Sequence, residues 1–169
     1  MPSSYRQSGF TLVELMITVA VLAILLALAL PSFQASIRSN RVATTSNELL
    51  GSLSLARTEA IRGLGAAGVC ASDDGAACTA TTDWANGWIV WREDRAAGGV
   101  TVRTVVRYFQ PKQRMVITGP NDGMQFTTQG RTQDGADQFG VAPEDVGTPA
   151  RCLVVNATGQ ARINQGACA

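Results

Sequence analysis

Residues that could carry chemistry are few in this chain. No histidine occurs among its 169 residues, which removes the commonest general base and the commonest metal ligand. Asp73-Asp74 and Glu93-Asp94 supply adjacent acids of the kind a glycosidase would pair. Each sits in a Gly- or Ala-rich stretch, where Asp is favoured for hydrogen-bonding its own turn. There is no Gly-x-Ser-x-Gly, no phosphate-cradling glycine loop and no pair of Cys-x-x-Cys motifs. Catalysis is not expected, nor is a cofactor or a metal. Asp134 and Asp137 are candidates for holding calcium in an Asp-containing loop, with solvated loop acids the plainer reading.

The four cysteines fall as Cys70 with Cys78 and Cys152 with Cys168. Neither spacing matches a zinc ribbon or finger, so two disulfides are the simpler reading and free buried thiols the alternative. Three pairings are possible; the local one, Cys70 to Cys78 and Cys152 to Cys168, is expected. Each bond adds roughly 2 to 4 kcal/mol in an oxidising compartment.

The remaining reactive feature is an acid in an unlikely place. Glu14 is the only charge from Phe10 to Leu30, a run whose helical length of about 30 Å matches a bilayer's hydrocarbon core. A carboxylate at that depth costs about 2.5 to 3.5 kcal/mol on insertion scales and must be paired. An ordinary secretory signal is cut after its apolar region. Here the small residue, Gly9, precedes that region, at the end of a short polar leader carrying Arg6. Cleavage after Gly9 would keep the apolar helix and create an amine on Phe10, close to Glu14 in the same chain or delivered by a neighbouring copy. The alternative is an uncleaved single-span anchor with Glu14 near the interface.

Gly9, Phe10, Thr11-Leu12 and Glu14 resemble the class III signal of type IV prepilins and type II secretion pseudopilins. The resemblance implies cleavage between Gly9 and Phe10 by a prepilin peptidase, N-methylation of Phe10, and a contact from Glu14 to another subunit's amine during assembly.

Behind the anchor, roughly 130 residues suffice for one domain with its own core. Net charge is +1, so bulk charge announces no nucleic-acid partner. After Pro31 an apolar spacing of three and four resumes at Ile37, Val42, Leu49, Leu53, Ala56, Ala60 and Leu64, which predicts that the helix continues to Gly63 and Gly65 and lies on a sheet. From Ala66 short β-like runs alternate with Gly, Asp, Asn and Pro. Strands are expected over 66–71, 88–91, 100–110, 115–118, 124–128, 152–155 and 161–163. Trp88-Ile89-Val90-Trp91 is expected to be buried on both faces, and 100–110 to have one wetter face. Residues 129–150 read as a loop or a weakly structured insertion, and Asn156 to Gly159 as the turn of a closing hairpin.

The resulting division is leader 1–9, spanning helix 10–30, amphipathic helix 31–64 and β-rich domain 65–169. The expected class is α+β, with a long N-terminal helix packed on an antiparallel sheet, as in type IV pilin-like proteins. Three stretches resemble the GspH/FimT family of H-type pseudopilins and minor pilins: Leu53-Ser-Leu-Ala-Arg57-Thr-Glu59-Ala60-Ile61; Val69-Cys70 leading to Asp83-Trp84-Ala-Asn86-Gly87-Trp88-Ile89-Val90; and the hairpin around Gly159-Gln160-Ala161-Arg162. Arg57 and Glu59 also read as solvated helix charges, and Trp84 and Trp88 as core anchors.

The resemblance implies a minor pilin that primes assembly at or near a pilus tip, or alternatively an H-type pseudopilin of a type II secretion system. Its partners would be the prepilin peptidase, other pilins or pseudopilins, and the inner membrane, with the leader cytoplasmic and the domain periplasmic. A third possibility is a DNA receptor. Family members with that role resemble one another in a Gly-Arg-x-Arg hairpin; here Gln160 replaces the first arginine. Arg151 and Arg162 remain as possible phosphate contacts, and two charges imply weak, salt-sensitive binding.

Overall fold

The computed structural model describes residues 9–63, 65–96, 99–145 and 149–169. Residues 1–8 of the leader, Arg6 among them, and Leu64 of the helical spacing lie outside the described residues. The chain divides into two units after Ile37. One helix, α1, runs Leu12–Arg62 and continues through Pro31, which removes one backbone bond without stopping it. In the first unit every side chain from Leu12 to Leu30 is exposed, and the helix is long and apolar enough there to cross a membrane.

In the second unit α1 turns Val42, Leu49, Leu53, Ala56 and Ala60 into the core, the three-and-four stripe expected of an amphipathic helix. Buried hydroxyls on the same side are satisfied one turn back, Ser46 on Val42 O at 2.7 Å and Ser52 on Glu48 O at 2.8 Å. The helix closes at Arg62, with the Gly63 N–H on Glu59 O at 2.8 Å.

Among the described residues eight strands follow: β1 Ala67–Ala71, β2 Trp88–Arg95, β3 Thr101–Phe109, β4 Met115–Thr118, β5 Met124–Phe126, β6 Asp137–Pro143, β7 Arg151–Val155 and β8 Ala161–Gln165. They form two four-stranded antiparallel sheets rather than one, in the orders β3-β2-β1-β5 and β4-β6-β7-β8. The strands on either side of Pro120 to Gly123 therefore do not pair with each other; the chain changes sheet at that turn. Gly123 has φ +80° there, and a side chain on it would strike the Val69 carbonyl.

Trp88 to Trp91 is buried throughout. Strand β3 is an edge and is mostly exposed on both faces, wetter than its sequence implied. The stretch 124–128 shortens to a three-residue strand, and Thr127 to Gly130 is a turn closed by the Gly130 N–H on Thr127 O at 2.8 Å. The region 129–150 is not all loop, because β6 lies within it. Phe139 and Val141 are buried between exposed or half-buried neighbours, the two-residue alternation of a strand with one core face.

The core joins α1 to both sheets. Trp88 anchors it, donating its Nε1–H to Ser52 Oγ at 2.8 Å and stacking on Phe109 at 5.1 Å. Trp84 meets Phe139 edge-on at 5.0 Å and donates to Pro120 O at 3.3 Å. A second apolar cluster of Cys70, Ile89, Trp91 and Tyr108 lies beneath the Cys70 to Cys78 loop, whose Gly75 rests on the Tyr108 ring.

Candidate functional site

The first site is the start of α1. Thr11 precedes the first helical residue, Leu12, and its Oγ1 accepts the Glu14 N–H at 3.2 Å. Glu14 Oε2 in turn accepts the Thr11 N–H at 3.2 Å and the Thr11 hydroxyl at 3.3 Å. This is a capping box, in which two otherwise unpaired donors are satisfied reciprocally and the carboxylate sits at the positive end of the helix. Glu14 thus has hydrogen-bond partners within its own chain. The Thr-x-x-Glu spacing was visible in the sequence, although its capping geometry was not part of the expectation. Phe10 is fully presented beside it, 86% exposed.

The second site lies where the end of α1 meets the β7–β8 hairpin. Arg57 donates Nε–H to Gly130 O at 2.9 Å and an Nη2 hydrogen to Thr158 O at 3.3 Å. Glu59 pairs with Arg92 at 3.1 Å, and Arg92 Nε also meets Asp94 Oδ1 at 3.1 Å. The reading of Arg57 and Glu59 as solvated charges is therefore corrected: one straps the helix to two loops, the other to β2. Glu59, then Asp94, raises the Arg92 pKa. The Thr104 hydroxyl, then Arg92, lowers that of Asp94.

The hairpin turn is a type I turn followed by a glycine bulge. Gly159 N–H bonds Asn156 O at 2.8 Å and Asn156 N–H bonds Gln160 O at 3.0 Å, with Gly159 at φ +77°. Its base carries the Cys152–Cys168 disulfide, while Cys70–Cys78 closes the first loop. Between α1 and the hairpin lies a groove of about 640 Å³.

The two arginines that remained as possible phosphate contacts are not brought together. Arg162 faces Val154 and Arg151 faces Gln165, three rungs apart, and residues 151 and 154 of one strand point to opposite faces. Arg162 shares the groove with Arg57 instead.

The acid pairs do not converge on a common space. Asp74 Oδ1 accepts the N–H groups of Ala76 and Ala77 at 2.8 and 3.0 Å, and Asp73 Oδ2 accepts the Thr79 hydroxyl at 3.3 Å. Glu93 Oε2 accepts the Ala66 N–H at 3.3 Å, and Asp94, its neighbour along a strand, points the other way. Asp137 Oδ1 accepts the Gln138 N–H at 2.7 Å, and Asp134 lines a separate small pocket near Asp122 and Arg103. Among the described residues no group of three or more metal-ligating side chains is gathered.

A long apolar N-terminal helix, a capped acid at its start and a helix-on-sheet domain with no catalytic constellation among the described residues define a type IV pilin-like subunit. Residues 45–159 match the family of the type II transport protein GspH, and residues 4–30 match the prokaryotic N-terminal methylation motif. The chain belongs to the GspH family. No curated protein matches it. Its fold is similar to the type IV minor pilin FimU of Pseudomonas aeruginosa PAO1 in two crystal forms. The P21 form has a TM-score of 0.57 at 18% identity, covering 75% of this chain and 90% of that one. The P65 form gives 0.54 at 18% identity, covering 72% and 91%.

Proposed function

We propose that the chain is a minor pilin of a type IV pilus, processed between Gly9 and Phe10, methylated on Phe10 and stored in the inner membrane with its domain in the periplasm. The observation that carries this reading is the fold likeness to the minor pilin FimU over 75% of the chain, joined to an N-terminal methylation motif. The apolar helix holds the subunit in the bilayer until assembly. Glu14 registers it against a neighbour's amine, and the domain selects which subunits flank it. Two local disulfides suit a periplasmic domain.

A second reading, a pseudopilin of a type II secretion system, is favoured by the description of the matched family as a type II transport protein. Deleting the gene and scoring twitching motility, exoprotein secretion and transformation side by side separates the two. Loss of twitching with intact secretion supports the minor pilin. Loss of secretion alone makes the chain a pseudopilin, and unchanged twitching and secretion removes both readings.

A further inference from the structure

Strand β8 is the last strand of its sheet, so among the described residues one side of its backbone has no strand partner. Which groups face that side follows from the register. The bonds Asn156 N–H to Gln160 O and Gly166 N–H to Ala150 O flank the ladder. With residues 154 and 152 opposite 162 and 164, these bonds fix 154/162 and 152/164 as the hydrogen-bonded pairs. Ala161, Ile163 and Gln165 therefore turn their N–H and C=O outward. Free strand edges are sites where another chain can add a strand.

The groove beside this edge is charged on one side of the scale only. Arg57 and Arg162 line it, together with hydroxyls of Ser54 and Thr58 and the amide of Gln160, and no acid lines it among the described residues. Arg57 is held in place by two backbone carbonyls and has no carboxylate partner among the described residues, so its positive charge is fixed and unneutralised. Arg162 is exposed.

We propose that this edge and groove receive an extended, acid-bearing segment of a neighbouring pilin-type subunit, which adds a strand to β8 and sets a carboxylate against Arg162 and Arg57. The inference rests on the reading of the chain as a filament subunit and names the chemistry of the neighbour that the domain selects. Backbone pairing with Ala161 and Ile163 supplies affinity without regard to sequence, and the two guanidinium groups supply the choice of an acidic strand.

The test is photo-cross-linking of the full-length chain in cells, with a benzophenone side chain at Asn164, which is exposed and lies on the face of Arg162. A second probe at Ile24, on the exposed apolar helix, reports filament contacts that do not involve the groove. Mass spectrometry identifies the captured peptide. The expected Asn164 product is a segment of another pilin-type subunit with Asp or Glu beside the cross-link. Its yield falls about tenfold in Arg162→Glu, the effect of reversing one charge of a close pair, and persists in Arg162→Lys. Ala161→Pro removes an outward N–H without touching the β7 ladder and lowers the yield as well, while the Ile24 product is unchanged in all three variants.

Capture of nucleic acid at Asn164, of a pilin segment without acids, or a yield indifferent to Arg162→Glu overturns the proposal. Silence at Asn164 with pilin captured from Ile24 overturns it while leaving the filament reading in place. Silence at both positions overturns both.

Discussion

Arg57 on α1 donates its Nε–H to the backbone carbonyl of Gly130 at 2.9 Å, and that same carbonyl is the atom against which Gly159 of the closing hairpin is packed. One oxygen thus joins the helix end, the turn after β5 and the hairpin between β7 and β8. Two stretches that resemble the family in sequence, the Ala-Arg-x-Glu-Ala helix end and the hairpin glycine, are here parts of a single contact.

Removing the strap should loosen all three elements. Arg57→Ala leaves two carbonyls without their charged donor, and hydrogen bonds from a charged group contribute about 1.5 to 3 kcal/mol. A loss of about 2 kcal/mol is expected in denaturant unfolding of the detergent-solubilised chain. Arg57→Lys keeps the charge but not the fork that reaches both acceptors, and should recover less than half. Full recovery by lysine would mean that charge alone matters at this position.

Gly159 faces two obstacles to substitution, and they can be separated. Its φ of +77° disfavours any side chain, and its position against Gly130 O leaves no room for one. Gly135, at φ +96°, has nothing within 4 Å of a notional Cβ, so alanine there meets only the conformational penalty. Gly135→Ala should cost about 1 kcal/mol, and Gly159→Ala about 3 kcal/mol once overpacking is added. Equal losses in thermal or denaturant unfolding would refute the packing argument.

The loop that covers Ile89 and Tyr108 should open in acid. The Ala76 and Ala77 N–H groups, in that order, hold the Asp74 carboxyl below its ordinary value. A depressed carboxyl stabilises above its unfolded pKa, about 3.9, and that contribution disappears as pH falls through the folded value. Amide exchange of Ala76 and Ala77, corrected for intrinsic rate, is therefore expected to stay slow from pH 7 to 5 and to accelerate below about pH 4. Asp74→Asn, which cannot titrate, should remove the pH step.

The parts of the fold legible in the sequence are those set by local rules. The apolar run and its single acid, the stripe from Val42 to Ala60, the turn signal at Asn156 to Gly159 and the buried run Trp88 to Trp91 all depend on residues near one another in the chain. Strand β6 escaped because only Phe139 and Val141 carry the alternation, set among Gly, Asp and Gln that read as loop. The splitting of the strands into two sheets escaped because a turn such as Pro120 to Gly123 looks the same whether it closes a hairpin or crosses between sheets. Arg57 was visible as a motif residue, but its partners are carbonyls 73 and 101 residues away, and a carbonyl leaves no trace in residue type. The separation of Arg151 from Arg162 required the register of β7 on β8.

The capping box turns the role of Glu14 into two measurable parts. Its carboxylate accepts from Thr11 N–H and Oγ1 within the chain, which lowers the cost of keeping an acid in the bilayer. Under the proposed function it is also the group that meets a neighbour's amine. Glu14→Gln keeps an acceptor for Thr11 and removes the charge, whereas Thr11→Val removes the hydroxyl and keeps the charge. All three of these variants, Glu14→Ala included, should remain in the inner-membrane fraction: Glu14→Gln and Glu14→Ala because a neutral residue inserts more readily than a carboxylate by about 2 kcal/mol or more, and Thr11→Val because the apolar run that spans the bilayer is unchanged. Thr11→Val should fray the first helical turn, at about 1 kcal/mol, while still entering filaments. Glu14→Gln and Glu14→Ala should both fail to enter sheared filaments, since the amine contact requires charge. If Glu14→Gln assembles as the native chain does while Thr11→Val does not, the residue acts through its cap and the registration role falls.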